Sequence, residues 1–78
     1  MEKPTISQRE AEILQMISDG LSSFEIAEQL FISPHTVNTH RKNILRKLRV
    51  NSSMRAISML LKHQIEVQHM LGDLKPAA

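Results

Sequence analysis

Twice in the first third of the chain, a serine stands three residues ahead of a glutamate at the head of an apolar run. The two segments are Ser7-Gln8-Arg9-Glu10 and Ser22-Ser23-Phe24-Glu25. At that spacing the hydroxyl accepts the free amide of the third helical residue, and the carboxylate reaches back to the serine's own N–H. Each pair therefore marks the start of a helix. Ser33-Pro34 marks a third start, with serine as cap and proline at the first helical position, where its missing N–H costs nothing.

The elements follow from these starts. In the first helix Ile13, Leu14 and Ile17 recur at helical spacing, and Gly20 can adopt the left-handed conformation that stops it. The second, about 23–30, turns Ile26, Ala27 and Leu30 inward, and Phe31-Ile32 is only long enough for a tight turn. The third runs to about Leu48. The fourth starts after Asn51-Ser52 and carries apolar residues as far as Leu71, with Gly72 as its stop. No segment alternates strictly in the manner of a strand. The expected fold is all-α: a four-helix bundle with a helix-turn-helix in helices two and three and a C-terminal dimerisation helix. Residues 1–5 form a lead, 6–71 the domain and 72–78 a frayed tail.

A chain of 78 residues makes one domain with a marginal core, in the size range where small proteins add disulfides, metals or further subunits. The chain has no cysteine, and His35, His40, His63 and His69 lack zinc-ligand spacing, so no metal site or cofactor is expected. Oligomerisation is the remaining route. No apolar run approaches the roughly 18 residues of a membrane span, and no signal-peptide pattern opens the chain, so a soluble, cytoplasmic protein is expected. Catalysis is not expected either. There is no spaced Ser-His-Asp set, no phosphate-cradling glycine loop and no paired carboxylates.

Charge is sharply divided along the chain. Gln29 to Ile65 contains no Asp or Glu but holds Arg41, Lys42, Arg46, Lys47, Arg49, Arg55 and Lys62. Residues 1–28 are the reverse, with Glu2, Glu10, Glu12, Asp19, Glu25 and Glu28 against Lys3 and Arg9. A basic stretch on a small domain is the electrostatic footprint of a nucleic-acid binder. A solvated helix face is the plainer alternative, but such a face usually mixes charge signs.

On a helical projection Val37, Ile44, Leu45 and Leu48 share the core side of the third helix, with His40 at its edge. The opposite side carries His35, Asn38, Thr39, Lys42 and Arg46, all polar and none acidic. Asn can pair twice with adenine, Lys can donate to guanine O6 and N7, and a Thr methyl can meet that of thymine. A short helix, a tight turn and a longer helix form a helix-turn-helix, whose second helix lies in the major groove.

At this point the chain resembles the LuxR-type (GerE-like) helix-turn-helix family of bacterial transcription regulators. The matching residues are Ser7-Gln8-Arg9-Glu10, Glu25-Ile26-Ala27, Leu30-Phe31-Ile32-Ser33, Thr36-Val37, His40, Asn43-Ile44, Lys47-Leu48, Val50 and Ala56-Ile57. The resemblance implies a four-helix bundle whose third helix enters the DNA major groove and whose fourth forms a dimer contact. It puts base-facing roles on Asn38, Thr39 and Lys42, which the projection also selects together with His35. It puts backbone-contacting roles on Ser33, Thr36 and Lys47, and the cations Arg46 and Arg49 are expected to join them at the phosphates. His40 and Asn43 are expected to be structural. The chain departs from the family pattern at Phe24, where a basic or polar residue is usual, at Arg49 in place of Gly, and at Ser53 in place of Arg.

The fourth helix has more apolar surface than one core stripe needs, and excess apolar surface marks an interaction site. Met54, Ile57, Ser58, Leu61 and Ile65 are the expected dimer contacts. The expected function is sequence-specific binding of double-stranded DNA as a homodimer on an inverted repeat, with RNA polymerase or a receiver domain as further partners. The alternative is a helical protein-interaction module, sigma-factor-like or adaptor-like, that does not read DNA.

Overall fold

The computed structural model describes residues 2–68. In chain order the elements are β1 (Thr5–Ser7), α1 (Gln8–Ser18), α2 (Ser23–Leu30), α3 (Pro34–Leu48), α4 (Ser53–Leu61) and β2 (Glu66–Gln68). Both capping boxes form. The Glu10 N–H donates to Ser7 Oγ at 3.1 Å and the Ser7 N–H to Glu10 Oε1 at 2.7 Å. The equivalent bonds between Ser22 and Glu25 are 3.2 and 2.8 Å. Ser33 caps α3 by accepting the Thr36 N–H, and Ser52 caps α4 by accepting that of Arg55.

The four helices end alike. A residue with positive φ follows each one: Gly20 (93°), Phe31 (58°), Arg49 (58°) and His63 (56°). The next N–H then bonds back to a carbonyl five residues earlier: Leu21 to Met16, Ile32 to Ala27, Val50 to Leu45 and Gln64 to Met59. This is the six-to-one closure that satisfies orphan helix carbonyls, usually with a glycine at the left-handed position. Here only α1 uses glycine. After the first three helices the closing residue is apolar, and Leu21, Ile32 and Val50 fold back against the core.

That core is Ile6, Ile13, Leu14, Ile26, Ala27, Val37, Ile44, Leu48 and Ala56. Burying one such aliphatic side chain contributes about 1.5–3 kcal/mol, so the stripes on α1, α2 and α3 set how the helices meet. Ala27 and Ala56 are its small members.

The mostly helical, four-helix architecture matches expectation, but its C-terminal part does not. The fourth helix was expected to reach Leu71. It stops at Leu61, His63 turns the chain, and β2 pairs in parallel with β1 in the register Thr5–Glu66, Ile6–Val67 and Ser7–Gln68. Ile6, the middle residue of β1, is buried, and Ile65 packs against the core. The packing of Ile65 on the core and the pairing of Val67 with Ile6 thus outweigh the helical spacing of those two residues. The expected stop at Gly72 and the tail at 72–78 lie outside the described residues. No helix among the described residues is long and apolar enough to cross a membrane.

Candidate nucleic-acid interface

Helix α3 is held by its buried side. Val37, Ile44 and Leu48 are in the core, and the turn before the helix is closed by Ile32. The remaining sides are then fixed by helical geometry. His35, Asn38, Thr39, Lys42 and Arg46 are all exposed, as expected, with Ser33 exposed and Thr36 half-buried at the N-terminal end. His40 is half-buried at the core edge. Asn43 bonds locally, accepting from Arg46 Nη2 at 3.2 Å.

Several of these side chains are already oriented. The Ser33 and Thr36 hydroxyls lie 2.9 Å apart. Thr39 Oγ1 donates to the His35 carbonyl at 3.1 Å, so its hydroxyl is turned to its own backbone. Asn38 Oδ1 accepts from the Ser23 hydroxyl at 2.9 Å. His35 and Lys42 form no such bond among the described residues.

The sequence did not single out Arg41. Its half-buried guanidinium donates from Nη1 to Ser23 Oγ at 3.4 Å and from Nη2 to Ser53 Oγ at 3.1 Å. Ser23 and Ser53 are the first residues of α2 and α4. One cation on α3 therefore ties together the starts of both neighbouring helices. Arg41 was visible as part of the basic run, but no periodicity could show that it reaches two serines on separate helices.

Lys47 was expected at a phosphate. In the free chain its Nζ lies 2.9 Å from Glu10 Oε1, a carboxylate only 3% exposed. Burial raises the Glu10 carboxyl, but the hydrogen bond from Lys47 and those from the Ser7 backbone and side chain outweigh it. The group is held below its ordinary value. The other ion pair among the described residues is Arg9–Glu12, so Arg41, Lys42, Arg46, Arg49, Arg55 and Lys62 have no carboxylate partner there. A face with uncompensated cations and no acid attracts a polyanion.

On α4, Met54 and Leu61 are exposed, at 81% and 67%, with Ile57 and Ser58 half-buried between them. These four form one stripe at helical spacing. Ile65 does not belong to it, because the helix ends before it and its side chain packs inward. Phe24 and Phe31 are also exposed, at 72% and 94%, at the two ends of α2.

The family model described as "Bacterial regulatory proteins, luxR family" matches residues 4–60. The chain is 47% identical over 57 residues to the response regulatory protein YgeK of Escherichia coli (strain K12), covering 73% of this chain and 39% of that one. It is 41% identical to the transcriptional regulatory protein DegU of Brevibacillus brevis, covering 74% of this chain and 25% of the relative. The oxygen regulatory protein NreC of Staphylococcus carnosus is 40% identical, with 77% and 28% covered. The chain thus spans well under half the length of these relatives. Among solved structures, the response regulator ChrA of a heme-sensing two-component system is similar. The TM-score is 0.67 at 43% identity, over 72% of this chain and 28% of that one.

Proposed function

The chain belongs to the luxR family of bacterial regulatory proteins, and from that premise we propose that it reads double-stranded DNA through α3 in the major groove, as a dimer on an inverted repeat. As a member of that family it is a non-enzymatic, DNA-binding helix-turn-helix domain of transcription regulators. The groove-reading proposal is supported above all by the outward stripe of α3, five exposed polar side chains without a carboxylate.

In this proposal Asn38, Thr39, Lys42 and His35 face base edges. Thr39 presents its methyl, since its hydroxyl is bonded to the His35 carbonyl. Ser33, Thr36, Arg46 and Arg49 contact phosphates, joined by Arg41 at the starts of α2 and α4, where helix dipoles also favour an anion. Lys47 contributes least, because Glu10 already neutralises it. Met54, Ile57, Ser58 and Leu61 pair two copies. The relatives are response regulators and are much longer, so a receiver domain in the same chain and RNA polymerase are the further partners proposed.

Exposed Phe24 and Phe31 favour the second reading, a protein-interaction module. A selection from random-sequence DNA, followed by retardation at low and high salt, separates the two. The DNA-reading proposal expects an enriched inverted repeat with half-sites about one helical turn apart and affinity that falls steeply with salt. Enrichment of no motif would leave the interaction module standing in its place.

A further inference from the structure

We infer that Ser23 and Arg41 determine which base α3 accepts, by fixing the amide of Asn38 with its oxygen turned inward and its NH2 turned toward the groove. The inference rests on the DNA-reading proposal above and assigns a specificity role to two residues that need not touch a base.

The argument is one of donors and acceptors. A guanidinium donates hydrogen bonds and accepts none. Arg41 Nη1 therefore gives a proton to Ser23 Oγ at 3.4 Å, while Nη2 is held by Ser53 Oγ at 3.1 Å. Ser23 has one proton of its own, and the Asn38 side-chain oxygen lies 2.9 Å away. With the amide this way round, guanidinium, hydroxyl and amide oxygen form a directed chain in which each group is satisfied. With the amide reversed, the Ser23 oxygen would accept from both donors through its two lone pairs, and its own proton would have to turn from Asn38 to solvent. Arg41 is half-buried and fastened at both ends of its fork, so it sets the polarity of the chain.

The consequence lies in the groove code. An asparagine selects adenine by using both ends of its amide, accepting from N6 and donating to N7. Here the oxygen is engaged with Ser23, and what remains outward is a pair of N–H donors. Those donors suit the N7 of either purine, guanine O6 or thymine O4, whereas cytosine alone presents a donor, N4, and no acceptor. The parent protein is thus expected to exclude cytosine at the base beneath Asn38 without insisting on adenine. Removing the Ser23 hydroxyl frees the oxygen and lets the amide take the two-point contact.

The test is the same random-pool selection, run on the parent, Asn38→Ala, Ser23→Ala, Ser23→Thr and Arg41→Lys, with folding of each checked by thermal circular dichroism. The position whose preference disappears in Asn38→Ala is the one Asn38 reads. At that position Ser23→Ala should raise the preference for adenine over guanine by about tenfold. Arg41→Lys, which keeps the charge but loses the fork, should shift it the same way. Ser23→Thr, which keeps a hydroxyl, should restore the parental pattern. A merely structural role for Ser23 would move affinity or melting temperature without changing the base preference, and that result overturns the inference. So does a parental position already restricted to adenine, or a motif untouched by Asn38→Ala. A parent that enriches no motif removes the DNA-reading proposal itself, and this inference with it.

Discussion

Lys47 Nζ sits 2.9 Å from Glu10 Oε1, and the pair fastens the last turn of α3 to the first turn of α1. The same carboxylate oxygen closes the α1 capping box on the Ser7 N–H. One group thus caps a helix and positions α3 against it. Lys47→Ala should cost about 1–3 kcal/mol, since it leaves a buried carboxylate without its charged donor. Because the Glu10 pKa is lowered in the folded state, its stabilisation is complete above the ordinary glutamate value of about 4.3 and is lost as pH falls through the lowered one. Urea midpoints measured from neutral to acid pH should fall less steeply for Glu10→Gln than for the parent. Equal slopes would show that Glu10 is not a source of the acid sensitivity.

Base readers and phosphate ligands should separate in their response to substitution. Lys42→Ala should cost about 1–3 kcal/mol on the selected site and far less on unrelated DNA, whereas Arg46→Ala should weaken both alike and reduce the salt slope by about one. Lys47→Ala should change the slope less than Arg46→Ala does, because its charge is already paired. If Lys42→Ala lowers specific and non-specific affinity by one common factor, Lys42 is a phosphate ligand instead.

Leu61 is mostly exposed, so Leu61→Asp should alter monomer stability by no more than about 0.5 kcal/mol. It should nonetheless place two like charges in an apolar seam between copies. Sedimentation with and without DNA should then find a monomer that binds a single half-site weakly. Parental affinity for the full inverted repeat would place the dimer contact somewhere other than α4.

Phe31 combines a left-handed backbone with 94% exposure. The ring gains nothing from the core, and the conformation costs a side-chain-bearing residue about 1–2 kcal/mol that glycine does not incur. Set against the extra freedom glycine has when unfolded, Phe31→Gly should raise stability by up to about 1 kcal/mol in thermal or urea melts. Destabilisation of similar size would mean that the ring makes contacts the fold requires.

These substitutions also mark where the sequence is legible. Helix starts could be read because Ser7–Glu10, Ser22–Glu25 and Ser33–Pro34 are local chemistry, complete within four residues. Helix stops were harder, since Phe31, Arg49 and His63 do what glycine usually does, and only the folded context keeps them there. The strand pair was invisible for a different reason. Three residues show no period, and the partner of Ile6 lies at Val67, across the whole helical body. The outward stripe of α3 follows from spacing alone, and all of its members are exposed. The links from Arg41 to Ser23 and Ser53, and from Lys47 to Glu10, join separate helices, and helical spacing carries no record of them.

The parallel clasp between β1 and β2 has a mechanical side. The Glu66 N–H donates to the Pro4 carbonyl at the point where the chain enters the fold, and the stretch it belongs to is the one that leaves α4. A segment joined ahead of Pro4 thus shares its footing with the end of the helix that carries Met54 and Leu61. Under the proposed pairing of two copies through α4, tension or rotation applied at that entry would act on the end of the contact helix without touching the stripe on α3.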